Sequence, residues 1–498
     1  MANKDFQPLW KGVTRASDET STVLALAKIL VEKEGRDFIL HLDRKDAEFC
    51  IDVLDRGIAG RDLNTTEKHA FFVTLRRLAG LHGRLPDSMI LSDEIEIEDK
   101  VLANGGFADV RIGKHKGQYV AVKTLRIAAT DDLRKIRKQF CKEVVLWSTL
   151  CHPHVLKLKG VYGDMEKGKF ITISEWMIHG NIMNFIEGNS VNRLQLLYEA
   201  AQGLKYIHGA GLTHGDLKGA NILVSSGVPP RACIADFGFM TMVLDPQKPM
   251  SCSATLEGGT TTFMPPEILM PSVYGLDNAI PTQKGDIYAL GLVVFQVLTG
   301  ELPFRDIRPT ELGFRLATGH RLEKPANAPA IGFSDSLWAF SQLCWGLDRD
   351  LRPKVAEVVA RLGEAAASWH GPMPPCGKTE TEKVASEEVV SSSIPYAAIR
   401  GEVPSAISGS PTDSQASSAL FSGMDSSSSI SNESQDEASL GTIKPAGRRD
   451  SEERRPHEPQ DEDRHIPDLA QNFQARKRKP FQSFKDKLRE FFTFRRRP

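Results

Sequence analysis

The 498-residue sequence lacks the features that mark a secreted or membrane-spanning protein. Its seven cysteines are scattered and include no Cys-x-x-Cys pair, which argues against a disulfide framework and favours a reducing compartment. Residues 1–5 do not open a charged-then-apolar signal sequence. The longest apolar run, residues 287–298, is too short to span a bilayer and predicts a buried helix. We therefore expect a soluble intracellular protein.

The sequence also lacks an excess of charge of one sign, because 63 Lys and Arg residues face 64 Asp and Glu residues, with a formal net charge of −1. The overall basicity that drives nonspecific binding to a phosphate backbone is absent, so no specific nucleic-acid partner is predicted. A chain of 498 residues leaves room for about three domains at ~150 residues each.

Residues 1–90 carry apolar side chains at helical spacing and no motif that suggests chemistry. Three amphipathic stretches end at Gly35, Gly57 and Gly80, which predicts a small three-helix unit. The third stretch begins at Asn64, and Glu67 three residues later completes a helix-capping pattern. Two interpretations stay open for this unit: a packing appendage, or an adaptor or regulatory module.

The chain is organised around a polar loop that precedes a β-branched strand, within residues 213–224. Asp216 can orient a substrate hydroxyl and accept its proton, and Lys218 can neutralise charge on a moving phosphoryl group. Asn221 and Asp236, which opens Asp-Phe-Gly fifteen residues later, offer oxygen ligands of the kind that Mg²⁺ prefers. The order of these groups predicts phosphoryl transfer.

Together these two motifs resemble those of protein kinases, in the form of serine/threonine kinases of the tyrosine-kinase-like group as found in fungi. The resemblance covers residues 95–370, where further kinase motifs follow in order. It implies an α+β, two-lobed protein kinase fold, with a small β-rich N-lobe and a larger helical C-lobe. It also implies ATP and Mg²⁺ as cofactors and protein substrates phosphorylated on serine or threonine. Lys218, two residues after Asp216, is the serine/threonine form.

The resemblance assigns the phosphate-binding groups to the first part of this domain. A turn within residues 102–110 would close over the ATP phosphates through Gly105 and Gly106. Two positions that are glycine in most kinases are Ala103 and Ala108. The resemblance further implies that Lys123 binds the phosphates, with Glu143 as its ion-pair partner.

The resemblance likewise places the adenine ring between the lobes. Backbone groups of Glu175 and Met177 would meet its edge, and the small Ser174 beside them predicts a roomy back pocket. Apolar side chains would enclose its faces. The complete set of ATP-binding residues implied by the resemblance is Gly105, Gly106, Val110, Ala121, Lys123, Glu143, Glu175, Met177 and Leu223.

Other kinase positions are structural. Glu267 is expected to pair with Arg352, and Asp286 is expected to be buried and to hold the backbone of the catalytic loop. Gly215 replaces the arginine that usually receives an activation-loop phosphate, which suggests that the enzyme does not need that phosphate. The departures Ala103, Ala108, Gly215 and Pro265 support an alternative, a pseudokinase scaffold that binds partners with little phosphotransfer.

The C-terminal part differs in composition from the rest. Residues 371–475 are rich in Ser, Pro and Glu and are expected to be a disordered linker. Residues 476–498 are basic, with phenylalanines at helical spacing. Such a helix can bind an anionic membrane or a partner protein, direct nuclear import, or remain a solvated tail that docks back on the kinase. The expected location is cytoplasmic. The tail could instead direct the protein to the nucleus or to the periphery of a membrane. A fluorescent fusion of the tail that is diffuse throughout the cell would contradict both the nuclear and the membrane interpretation.

Overall fold

Helices precede strands along the chain, as the pattern of the first 90 residues predicts. The computed structural model of the protein describes residues 3–60, 62–104, 108–128, 131–238, 240–242 and 261–376, all within one compact unit. None of the helices in these ranges is long and apolar enough to cross a membrane. N-terminal helices, a β-rich lobe and a helical lobe follow in chain order, which confirms the predicted two-lobed α+β architecture.

Residues 3–82, here named the N-terminal module, form five helices rather than the predicted three. Asn64 and Glu67 form the predicted capping box, in which each side chain accepts the other residue's backbone N–H at 3.0 and 2.9 Å. The predicted second helix is split, because the Asp43 side chain accepts the N–H of Asp46 and begins a new helix there. The helices are α1 (Asn3–Arg15), α2 (Glu19–Leu30), α3 (Lys33–Leu40), α4 (Arg44–Ala59) and α5 (Thr65–His82).

The N-lobe is an antiparallel sheet of five strands with one helix beside it. Its elements are β1 (Glu96–Asn104), β2 (Ala108–His115), β3 (Gln118–Leu125), α6 (Leu133–Ser148), β4 (Leu158–Tyr162) and β5 (Ile171–Glu175). The strands lie in the order β1-β2-β3-β5-β4. Along β3, Val120 and Val122 are buried, whereas Ala121 and Lys123 alternate with them and occupy the opposite face. Lys123 is thus presented on the face away from the buried valines.

The C-lobe is built around one central helix that is buried almost all round. Its elements are α7 (Ile182–Gly188), α8 (Arg193–Gly209), β6 (Leu212–Thr213), β7 (Ile222–Val224), β8 (Ala232–Ile234), β9 (Thr241–Met242), α9 (Pro266–Leu269), α10 (Gln283–Thr299), α11 (Pro309–Ala317), α12 (Asp335–Cys344) and α13 (Val355–Ser368). The central helix is α10, which confirms the buried helix predicted from the apolar run. Two short antiparallel pairs, β6 with β9 and β7 with β8, border the catalytic loop.

The described chain continues past the predicted domain end at residue 370. Met373 is fully buried and its N–H donates to the carbonyl of Val191, and the N–H of Cys376 donates to the carbonyl of Ile186. The first six residues of the predicted linker are therefore part of the C-lobe. The rest of that linker and the basic tail, residues 377–498, lie outside the described residues.

Candidate active site

The catalytic loop, residues 214–221, is held by a carboxylate from the central helix. Asp286 is 2% exposed and accepts the backbone N–H of His214 at 2.8 Å and of Gly215 at 2.9 Å. Gly215 has a φ of 83°, in the left-handed region that glycine adopts without strain. The predicted role of Asp286 in holding the loop backbone is confirmed.

One residue that supports the loop, His208, was not predicted from the sequence. The Nε2 atom of His208 lies 2.8 Å from Oδ2 of Asp286, so this carboxylate is fixed from helix α8 as well as bonded to the loop. The only sequence signal for His208 is its position in the last turn of the helix that precedes the loop. The side-chain oxygen of Gln296, also on α10, accepts the N–H of Gly219 at 3.2 Å and holds the far end of the loop.

Asp216 lies at the centre of a small polar group. Its Oδ2 accepts from Nζ of Lys218 at 3.0 Å and from Nδ2 of Asn221 at 3.0 Å. The same Asn221 nitrogen donates to the Asp216 carbonyl at 2.7 Å, which fixes the orientation of the amide. The Asp216 N–H donates to Nδ1 of His214 at 3.2 Å. The structure therefore brings together the three loop residues to which the sequence assigned catalysis and metal binding.

The second carboxylate of the site faces the predicted phosphate-binding lysine. Nζ of Lys123 lies 3.0 Å from Oδ1 of Asp236, although the two residues are 113 positions apart. Asp236 has a φ of 66°, which is an uncommon value for a residue other than glycine. Burial opposes both charges, but their mutual attraction prevails, raising the pKa of Lys123 and lowering that of Asp236.

Glu143 on helix α6 reaches the same site without pairing with the lysine. Among the described residues, the salt bridge of Lys123 is with Asp236, and none within 4.0 Å joins it to Glu143. A Cβ placed on Gly238 would lie 3.6 Å from an oxygen of Glu143 and from one of Asp236, so the two carboxylates flank this glycine. Burial, together with the charge of Asp236, raises the pKa of Glu143 to about 7, although Lys123 opposes the shift.

The raised pKa of Glu143 predicts a stability that falls as pH rises. Between the ordinary value of 4.5 and about 7, the folded protein retains a proton that the unfolded chain releases, so the free energy of unfolding decreases through this window. Glu143→Gln removes the effect and is expected to be more stable than the wild type at pH 8 by on the order of 2 kcal/mol, with little difference at pH 4.5. Urea unfolding of the ligand-free protein at the two pH values measures this. The exposed Glu323→Gln is the control, and a difference that does not depend on pH would contradict the prediction.

The predicted adenine-binding residues lie on the N-lobe sheet, in the segment that follows it and on β7 of the C-lobe. Val110 pairs with Lys123, and Ala121 pairs with Ser174, so these residues share a face across neighbouring strands. Glu175 is exposed at the end of β5, Met177 is buried two residues later, and Leu223 is half-buried in β7 of the C-lobe. Gly105 and Gly106 lie outside the described residues.

The side chains of Asn221 and Asp236 are suited to hold a metal ion. Asn221 uses its side-chain nitrogen on Asp216, which leaves its amide oxygen as the atom for a cation. Asp236 uses Oδ1 on Lys123 and carries a second carboxylate oxygen. An all-oxygen donor set suits a hard divalent cation such as Mg²⁺, whose remaining ligands are commonly phosphate oxygens and water. The residues present therefore fit the predicted metal.

Comparison with known proteins identifies the same region. The model of a family described as protein tyrosine and serine/threonine kinase matches residues 96–362, more than half of the chain. The chain is 30% identical over 281 residues to the dual specificity protein kinase shkD of Dictyostelium discoideum, covering 55% of this chain and 35% of that protein. It is 29% identical over 271 residues to the serine/threonine/tyrosine-protein kinase HT1 of Arabidopsis thaliana, covering 52% and 64%. It is 25% identical over 298 residues to a mitogen-activated protein kinase kinase kinase of Drosophila melanogaster, covering 57% and 24%. The chain thus spans less than two thirds of the length of each relative.

Proposed function

The chain belongs to the protein tyrosine and serine/threonine kinase family, and we propose that it transfers the γ-phosphate of ATP to serine and threonine hydroxyls of proteins in intracellular signalling. The observation that carries the proposal is the polar group around Asp216, in which Lys218 and Asn221 contact one carboxylate oxygen. The carboxylate of Asp236, already paired with Lys123, completes the set of charges that phosphoryl transfer requires.

Each residue has a distinct task in this mechanism. Asp216 orients the acceptor hydroxyl and takes up its proton as the oxygen attacks. Lys218 bonds to Asp216, which places its positive charge next to the transferred group. Lys123 binds the ATP phosphates, and Glu143 is the nearby carboxylate on α6 that supports its position. The protein takes little covalent part, so catalysis consists of positioning and charge stabilisation.

Membership of this family implies the use of ATP and a divalent cation, and we assign Mg²⁺ as that cation. Asn221 and Asp236 would hold it through their side-chain oxygens. When bound, the ion neutralises negative charge on the phosphates. The glycine-rich turn that would cover those phosphates contains Gly105 and Gly106, and its role stays a prediction from the sequence.

The pseudokinase alternative is not favoured. Its support consists of departures at positions that do no chemistry, and one of them, Gly215, suits the left-handed backbone found there. The polar and charged side chains that phosphoryl transfer needs are all present, namely Lys123, Glu143, Asp216, Lys218, Asn221 and Asp236.

The proposal is tested by incubating the purified full-length protein with ATP, Mg²⁺ and a mixed pool of serine, threonine and tyrosine peptides. We expect phosphoserine and phosphothreonine from the wild type and no product when Asp236→Asn protein is used or when EDTA is added, because the substitution removes a charged ligand of the cation and EDTA removes the cation itself. Product on tyrosine alone would refute the acceptor class. Absence of product from wild-type protein that still binds ATP would support the scaffold alternative.

Partners and location beyond this site remain proposals from the sequence. Protein substrates follow from the proposed reaction. Cytoplasmic location is supported by the scattered cysteines, which include no Cys-x-x-Cys pair. Binding of the basic tail, residues 476–498, to an anionic membrane, a partner protein or the nuclear import machinery is supported by its charge and phenylalanine spacing.

A further inference from the structure

Helix α6 carries Glu143 to the active site and is covered on another side by the N-terminal module. We propose that this module is an intramolecular brace that holds α6 in place, so that phosphotransfer depends on the packing of α5 against α6. The inference rests on the proposed function, because it concerns the helix that positions a carboxylate beside the ATP-binding lysine. It assigns a role to residues 3–82, which the catalytic mechanism does not use.

The module and helix α6 share one continuous hydrophobic core rather than touching at a polar surface. Apolar side chains from α5 and α6 meet in it, and each of them is at most 3% exposed. The core also reaches the N-lobe sheet, because the rings of Phe140 on α6 and Phe170 beside β5 lie 5.3 Å apart. A helix with this much apolar surface against a neighbour cannot move without exposing it. The side chains from the two helices are Phe71, Leu75, Leu78, Ala79, Phe140, Cys141, Val144 and Val145.

The last turns of α6 are joined to the catalytic loop. Trp147 belongs to the C-lobe core, and its ring lies 5.4 Å from that of Phe237. The Phe237 ring in turn lies 5.7 Å from that of His214 in the loop. Helix α6 is therefore packed between the module and the catalytic centre, and Glu143 lies one turn before Trp147. A displacement of α6 at the module side would move Glu143.

Gly80 of α5 packs directly against α6. A Cβ at this position would lie 2.3 Å from Cε and 2.4 Å from Cγ of Lys142, the residue that precedes Glu143. Such distances are too short for any carbon pair, so a larger residue at position 80 must displace the Lys142 side chain or helix α5 itself. The sequence pattern predicted that the helix ends at Gly80. In the structure α5 continues to His82, and Gly80 is buried against α6.

The module is also fixed to the N-lobe through the segment that joins them. The N–H of Leu91 donates to the carbonyl of Val161 in β4 at 2.8 Å. Just before it, the Ser88 hydroxyl donates to Asp55 of α4 at 2.5 Å, and the N–H of Asp87 donates to Asp52 at 3.0 Å. These anchors make the module a fixed support for α6 rather than a pendant domain.

The direction of the effect follows from where Glu143 lies. Its carboxylate flanks Gly238 together with that of Asp236, so α6 already places Glu143 inside the site. A brace that maintains this position supports activity, and loosening it withdraws Glu143 from Lys123. The module is thus a positive element, and disturbing the α5–α6 contact lowers phosphotransfer.

The test is a double-mutant cycle in the full-length protein. Gly80→Ala places a methyl group where the Lys142 side chain now packs, and we expect α5 to be displaced from α6 and kcat/KM for ATP to fall by about tenfold to a hundredfold, since small misplacements of positioning groups have effects of this size. Lys142→Ala removes the atoms that the new methyl group would meet, so the double variant is expected to recover to within about threefold of Lys142→Ala alone. Gly12→Ala is the matched control, because that glycine also lies in a helix, and among the described residues no heavy atom other than those of its chain neighbours and its own helix backbone lies within 4 Å of an added Cβ.

Hydrogen exchange supplies the readout that does not depend on catalysis. In Gly80→Ala we expect faster exchange of the amides of residues 133–148, with the C-lobe unchanged and with protection restored by Lys142→Ala. Unchanged activity and exchange in Gly80→Ala would overturn the brace, as would increased activity. A loss that Lys142→Ala does not rescue, with faster exchange throughout the chain, would also overturn it.

Failure of the brace and failure of the proposed function give different results. If the wild-type protein transfers no phosphate, the proposed function fails, whereas exchange in residues 133–148 still tests the coupling of module and helix. If the wild type is active and Gly80→Ala equals it in both readouts, the brace alone fails.

Discussion

Replacing Asp216 by asparagine is expected to lower kcat for peptide phosphorylation by about 10²- to 10⁴-fold, the usual contribution of a positioned general base. The amide keeps the shape of the carboxylate but cannot accept a proton from the acceptor hydroxyl. It also removes the charge that Lys218 contacts at 3.0 Å. The KM for ATP should change little, because Lys123 and Asp236 are unaltered and lie outside this group.

Steady-state kinetics with ATP and peptide varied separately measure this effect. The matched control is Asp306→Asn, whose side chain is 93% exposed, and it should retain full activity. A decrease in kcat of less than about tenfold in Asp216→Asn would show that the carboxylate does not act as the base. An equally large rise in the KM for ATP would instead assign Asp216 to nucleotide binding.

The catalytic loop was largely predictable from the sequence, because its residues are close together in the chain. Asp216, Lys218 and Asn221 lie within six positions, and a tight loop of that length brings their side chains into contact. The capping box of Asn64 and Glu67 was predictable for the same reason, since its two hydrogen bonds span three residues. Local geometry needs no knowledge of the rest of the fold.

Contacts between distant elements could not be derived in this way. Helical periodicity shows that α5 has an apolar face, but not that this face covers α6. The choice of Asp236 rather than Glu143 as the partner of Lys123 depends on how the lobes and α6 are placed, to within a few ångströms. Helix α1 escaped detection because Pro8 and Gly12 interrupt its pattern, whereas packing of Trp10 and Val13 in the core stabilises it.

The pair of Glu267 and Arg352 was predicted, and the structure shows why its loss should be severe. The guanidinium donates to both carboxylate oxygens, at 2.6 and 2.7 Å, and both side chains are at most 2% exposed. Two of its three other N–H groups donate to the carbonyls of Gly346 and Lys284, each at 3.0 Å, and the guanidinium lies 5.0 Å from the ring centre of Tyr288. Every charge in this buried site is therefore matched.

Arg352→Met is expected to lower the free energy of unfolding by about 3–5 kcal/mol, because Glu267 would be left buried without its partner. Such a loss approaches the whole stability of many domains, so the expected result includes poor expression at 37 °C. Denaturant unfolding at low temperature measures the change. Arg361→Met removes an exposed pair with Glu364 and should cost at most about 1 kcal/mol.

The double variant Glu267→Met/Arg352→Met separates the cost of an unpaired charge from the value of the pair. Two apolar side chains of suitable size need no partner, so the double variant should be more stable than Arg352→Met alone. If it is no better, the guanidinium contacts to Gly346 and Lys284 carry most of the stability, and the pair mainly serves to bring Arg352 to them. If the free energy of unfolding of the double variant approaches that of the wild type, the ion pair contributes specificity to the C-lobe rather than net stability. This result is expected where the cost of desolvating two buried charges offsets their attraction.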